Sequence, residues 1–96
     1  MDLLLKKVII INLKDNVAIA IKKLEKNQKY DLQGDTIIIK DNIEAGFKLA
    51  IKNIEKGDKV IKYGEVIGRA IQDIEIGEIV HIHNLEGMRG RGDKIT

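Results

Sequence analysis

Ala50-Ile51-Lys52-Asn53-Ile54-Glu55-Lys56-Gly57 and Ala70-Ile71-Gln72-Asp73-Ile74-Glu75-Ile76-Gly77 are near copies of one octapeptide set twenty residues apart. A fainter version, Ala20-Ile21-Lys22-Lys23-Leu24-Glu25-Lys26-Asn27, lies thirty residues before the first. The two clear copies run from their glycines into β-type segments, Lys59-Val60-Ile61-Lys62 and Glu78-Ile79-Val80-His81-Ile82-His83. The repeated unit therefore reads as a tight polar turn feeding a strand. Three copies at uneven spacing are too few for a solenoid, so the pattern predicts a compact, folded-over domain that is mostly β.

Working outward, Tyr30-Asp31-Leu32-Gln33, a Gly34-Asp35 turn and Thr36-Ile37-Ile38-Ile39 predict a β-hairpin, because Gly34 can adopt the positive φ that a two-residue turn demands. Asp15-Asn16 is a helix-start signal, and Val17, Ala20, Ile21 and Leu24 follow at helical spacing with Lys22 and Lys23 turned outward. That predicts one short helix near Asn16–Leu24. The apolar run Val8-Ile9-Ile10-Ile11 is far shorter than the roughly 20 residues a membrane helix needs and reads as a buried strand. Proline is absent, which leaves glycine and Asx residues to make the turns.

At 96 residues the chain fits one domain with one modest core. Lys and Arg number 17 against 15 Asp and Glu, interspersed, and aromatic residues are 3% of the chain. That balance describes a solvated surface rather than a nucleic-acid footprint, since stacking platforms and bidentate base readers are scarce. No cysteine is present, which removes disulfides, thiolate metal sites and a cysteine nucleophile. With no secretion signal read at the start, the expected compartment is the cytoplasm, with neither membrane nor nucleic acid as partner. Residues 1–86 are expected to form the domain, and the segment 87–96, which contains Gly87-Met88-Arg89-Gly90-Arg91-Gly92-Asp93, a flexible tail.

His81 and His83 are the two histidines, and period-2 geometry on a strand would put both imidazoles on one face, placed to share a metal or an anionic substrate. The plainer reading is two surface histidines on a half-exposed strand, since two ligands do not close a zinc or iron site. Lys62-Tyr63-Gly64-Glu65 offers a cation and a phenol beside a glycine that lets a ligand approach the backbone, although by sequence alone a hairpin with Tyr63 flanking the core is the favoured reading. No Ser-His-Asp set, phosphate loop or carboxylate pair can be assembled from the remainder.

Taken in order, Asp15-Asn16-Val17-Ala18, Gly46-Phe47-Lys48-Leu49-Ala50, Gly57-Asp58-Lys59-Val60-Ile61-Lys62-Tyr63-Gly64, Ile67-Gly68-Arg69-Ala70 and His81-Ile82-His83-Asn84 resemble the amino-terminal SAF domain of the altronate and galactarate dehydratase family. The same domain resembles the free-standing small subunit of sulfolactate sulfo-lyase and of two-subunit altronate dehydratases; a chain ending at Thr96, just past the module, looks like that split form.

The resemblance implies a β-clip fold, to which the periodicity above adds the one short helix, a large partner dehydratase or lyase subunit holding most of the active site, and β-elimination of water from a small hydroxyacid. The implied cofactor is a divalent metal, Fe2+ or Mn2+, held mainly by the partner. On this chain His81 and His83 are the implied catalytic and metal-facing residues, and Lys48, Lys62, Tyr63 and Asn84 the substrate-binding ones. The family often carries histidine where Phe47 stands, so no catalytic role is assigned to that position. The residue count agrees with a helper role: too few candidates exist for base, acid and complete metal shell, so the chain alone is expected to be inactive. The competing readings are a sulfolactate sulfo-lyase small subunit and a non-catalytic binding or assembly module, because SAF-like domains also occur in sialic acid synthases, antifreeze proteins and flagellar chaperones.

Overall fold

A computed structural model describes residues 7–10 and 12–87. Among these residues nine strands follow one another: β1 (Val8–Ile9), β2 (Val17–Ala20), β3 (Lys29–Leu32), β4 (Asp35–Ile38), β5 (Lys48–Ala50), β6 (Lys59–Lys62), β7 (Glu65–Ala70), β8 (Ile79–Val80) and β9 (Leu85–Gly87). They form a four-stranded sheet in the order β1-β2-β5-β8, a β3-β4 hairpin and a three-stranded sheet in the order β6-β7-β9. Every pairing is antiparallel. The fold is mostly β, and no described segment is helical. The expected tail, from residue 88 onward, lies outside the described residues.

The short helix expected at Asn16–Leu24 is instead the central strand β2 and the turn that follows it. The reason lies in where the four-stranded sheet sits. Register pairs Val17 with Ala50, Ile19 with Lys48 and Lys48 with Val80, so these residues share one face. Val17, Ala50 and Val80 join a core with Ile54, Val60, Ala70 and Ile74. Val8, Ala18, Ala20 and Leu49, from the other face, join a second core with Leu24, Ile37, Ile39 and Ile43. A strand buried on both faces is continuously apolar, and periodicity alone does not separate such a run from a helix. Asp15 and Asn16 serve as hydrogen-bonding anchors to other strands rather than as a helix cap.

The β3-β4 hairpin forms, with its turn one residue earlier than expected. Leu32 pairs with Asp35, so Gln33 and Gly34 are the central residues, at φ 52° and 91°. Asp31 Oδ1 accepts from the Gly34 N–H at 3.1 Å, which steadies this tight turn and leaves Asp35 to begin β4.

The repeat proves to be four-fold. Leu24, Ile43, Ile54 and Ile74 are all buried, and each is followed three residues later by a positive-φ position: Asn27, Gly46, Gly57 and Gly77. They join in pairs as isolated antiparallel bridges, Leu24 with Ile43 and Ile54 with Ile74. In three of the four an Asx residue precedes the bridge residue and accepts an N–H two positions beyond the bridge partner. Asn42 Oδ1 takes Lys26 N, Asp73 Oδ1 takes Lys56 N and Asn53 Oδ1 takes Ile76 N, at 2.9, 2.9 and 3.0 Å. The fourth place is Lys23, which has no acceptor to offer the Ala45 N–H and only an exposed ion pair with Glu44 at 3.9 Å. Lys23→Asn is therefore expected to stabilise the fold by about 0.5–1.5 kcal/mol through the missing side-chain to backbone bond. A urea midpoint that fails to rise would show that the fourth turn is already satisfied.

Candidate functional site

Lys48 opens β5, flanked by Ile19 of β2 and Val80 of β8 on the face that carries the second core. Its half-buried stem explains why burial, first, and the nearby Lys62 charge, second, hold its ammonium below the ordinary lysine value of 10.5. Lys62 ends β6, and its Nζ lies 4.9 Å from the centroid of the Tyr63 ring. Tyr63 and Gly64 are the two central residues of the β6-β7 turn, since Lys62 pairs with Glu65, and both carry positive φ, 58° and 75°. A bulky aromatic residue in that region is uncommon and has to be held there. The phenol ring is half exposed. Of the three residues proposed from sequence as carboxylate holders, Lys62 and Tyr63 thus lie against each other, and the Lys62 charge reaches Lys48. Among the described residues neither lysine forms an ion pair with a carboxylate.

His81 and His83 do not lie on a strand as expected. Strand β8 ends at Val80, and residues 81–84 make a tight turn in which the His81 carbonyl accepts from Asn84 N at 3.0 Å and Leu85 N at 2.9 Å. Alternation therefore does not set the two imidazoles on one face. The cause is Asn84, whose side chain outcompetes strand pairing for the backbone: Oδ1 accepts from His81 N at 2.9 Å and Nδ2 donates to Ile79 O at 2.8 Å. Asn84 is fully buried, so its amide shapes the turn from within and is not open to a substrate. His83 is exposed, as is its neighbour Ile82, whereas His81 is half-buried. Its ring meets Phe47 at a centroid distance of 5.2 Å and an interplanar angle of 58°.

Phe47 is the site neighbour that sequence reasoning set aside. It precedes Lys48 just as His81 follows Val80, and the Lys48–Val80 pairing brings the two rings alongside. Only the register of β5 against β8 carries that information.

Among the described residues no three His, Cys, Asp or Glu side chains gather into a group able to hold a metal ion. Two imidazoles in one turn do not complete a coordination shell, so the described part of this chain does not fit a self-contained metal centre. No helix among these residues is long and apolar enough to cross a membrane.

The comparisons decide the family. Residues 6–88 match the altronate/galactarate dehydratase SAF domain. This chain belongs to that SAF-domain family. It is 41% identical over 80 residues to an altronate dehydratase of Bacillus subtilis, covering 83% of this chain and 16% of that protein. The altronate dehydratase of Escherichia coli is 40% identical over 70 residues, 73% of this chain and 14% of the relative. The (2R)-sulfolactate sulfo-lyase subunit alpha of Chromohalobacter salexigens is 47% identical over 51 residues, which is 53% of this chain and 54% of that subunit. The SAF-domain chain thus spans about a sixth of the altronate dehydratases and about half of the sulfo-lyase subunit.

Proposed function

We propose that this SAF domain works as the small subunit of a metal-dependent sugar-acid dehydratase, an altronate dehydratase-like hydro-lyase whose large partner holds the rest of the active site. The observation that carries the reading is the Lys48–Lys62 pair. A half-buried cation whose charge is disfavoured by burial and by the nearby Lys62 charge, with neither lysine ion-paired with a described carboxylate, forms a place that an anion would stabilise. A hydroxyacid substrate supplies that anion.

In this proposal Lys48 and Lys62 hold the substrate carboxylate, and the Tyr63 hydroxyl adds a hydrogen bond. Elimination then removes the proton α to the carboxylate, the C–H electron pair becomes the new C=C bond, and the β-hydroxyl departs with a proton as water. His81 and His83, presented on the turn that Asn84 braces, are side chains suited to carry a proton in either direction. In this proposal a divalent metal, Fe2+ or Mn2+, is held mainly by the larger partner, and His81 and His83 would face it from this chain. A helper role is supported by relatives in which the matching segment is either a small part of a dehydratase or a named lyase subunit. The latter favours a second reading of the same site, in which the β-carbon loses a sulfo group, with the C–S electron pair, as sulfite in place of water. The cytoplasm remains the expected compartment.

The purified chain alone is expected to turn over no sugar acid, and to support turnover when combined with a large dehydratase subunit. Within the assembled complex, the His81→Ala, His83→Ala double variant is expected to lose about tenfold or more of kcat, with a stability cost of about 1 kcal/mol from the lost His81–Phe47 ring contact and within about 0.5 kcal/mol from the exposed His83. Full activity in that assembled variant would reduce the turn to a scaffold. Turnover by the chain alone would overturn the helper role.

A further inference from the structure

Asp15 and Asn84 are the polar or charged side chains buried among the described residues, at 2% and 0% exposure. Asn84 is explained by the 81–84 turn. Asp15 is explained by the other half of the site. Burying a carboxylate is costly unless strong donors meet it, and here the donors come from two separate turns. Oδ2 accepts from Asn12 N at 3.2 Å, and Oδ1 accepts from Gly64 N at 2.8 Å, across 49 residues of chain. The next residue grips the same hairpin one step earlier: Asn16 N donates to Ile61 O at 3.1 Å, Asn16 Oδ1 accepts from Ile61 N at 2.7 Å and Nδ2 donates to Lys59 O at 2.8 Å.

Residues 61 and 64 are thus fastened by adjacent side chains, with Lys62 and Tyr63 between them. Tyr63 needs that fastening, because its φ of 58° is disfavoured for a bulky residue. A charge-assisted bond to the Gly64 N–H is about twice as strong as a neutral one and is well suited to hold the turn closed.

Resting on the carboxylate-holding reading above, we infer that Asp15 is a positioning residue for that site: its carboxylate, bonded to the Gly64 N–H, holds the turn that sets the Lys62 cation over the Tyr63 ring. It touches no substrate and acts through the turn. A residue needed only for folding would lower stability and leave the folded site unchanged. A positioning residue changes the site in protein that is still folded.

The test uses the full chain as Asp15→Ala and Asp15→Asn, alone and in complex with the large subunit. In the chain alone, side-chain NMR follows the alkaline titration of Lys48. Release of Lys62 weakens the repulsion on Lys48, so the midpoint moves up toward 10.5, further in Asp15→Ala than in Asp15→Asn, which keeps one acceptor oxygen. In the complex KM for the sugar acid rises about tenfold in Asp15→Ala with kcat changed far less, and Asp15→Asn recovers part of the loss. Should Asp15→Ala not fold, Asp15→Asn carries both comparisons. A folded variant with the Lys48 midpoint and KM both unmoved overturns the inference. Lys48→Met separates the two ideas: an unchanged KM there removes the carboxylate-holding reading, while the Lys48 titration in the Asp15 variants still decides whether Asp15 sets the turn.

Discussion

Gly77→Ala is expected to lose more than about 4 kcal/mol of stability, most of what a domain of this size possesses. Two costs combine. Gly77 sits at φ 94°, a conformation that costs an L residue roughly 1–3 kcal/mol. An added Cβ would also collide with the carbonyl oxygen of Ile38, which is backbone and has no rotamer to move into. Relief requires that segment to retreat, breaking the 2.9 Å bond from Lys40 N to Gly77 O that fastens the chain after β4 to the last turn. Gly57 is the matched control, because it occupies the equivalent turn at φ 91° with open space around the added methyl. Gly57→Ala should therefore show the conformational cost alone, about 1–3 kcal/mol. Urea unfolding of both variants measures the difference, and equal midpoints would show that the Ile38 contact yields without cost.

Lys48→Met is expected to reduce kcat/KM of the assembled enzyme by roughly 10- to 100-fold, the value of one hydrogen bond to a charged group, mainly through KM. The pH dependence follows from the direction of the Lys48 shift. Its folded-state pKa lies below 10.5, for burial first and Lys62 second, so between the lowered value and 10.5 the folded chain binds fewer protons than the unfolded chain. The contribution of this group to stability is therefore unfavourable below the folded pKa and is relieved as pH rises toward 10.5. Binding of a carboxylate runs the other way, since it needs the ammonium. Affinity is present while Lys48 is protonated and is lost as pH climbs through the lowered pKa. Wild-type KM should thus rise on the alkaline side before 10.5 is reached, and Lys48→Met should lack that rise while folding at least as stably. A steep, unaltered alkaline limb in Lys48→Met would assign the titration to another group and remove Lys48 from the site.

The repeated turns and the β3-β4 hairpin were legible from local chemistry. The octapeptide copies mark turns because a buried aliphatic residue followed by a glycine at positive φ is a local arrangement, and the two clear copies end at Gly57 and Gly77 as their spacing implied. The fourth unit, Ile43-Glu44-Ala45-Gly46, escaped notice because only its bridge to Leu24 reveals it. Sequence order likewise sufficed for the family, since the ordered short motifs resemble the SAF domain that residues 6–88 match.

Three features depended on contacts between distant parts of the chain. Val17–Ala20 is a strand because sheet neighbours on both edges and cores on both faces surround it, which overrides a helical spacing of four apolar residues. His81 and His83 lie on a turn because the buried Asn84 amide takes the backbone groups that a longer β8 would have used. Lys48, Lys62 and Tyr63 were nameable one by one from sequence, but their grouping rests on β5 pairing with β2 and on Asp15 and Asn16 gripping residues 59–64. Turn chemistry acts over four residues and can be read along the chain. The proximity of side chains across strands is set by register and buried hydrogen bonds, which exist only once the sheets have closed.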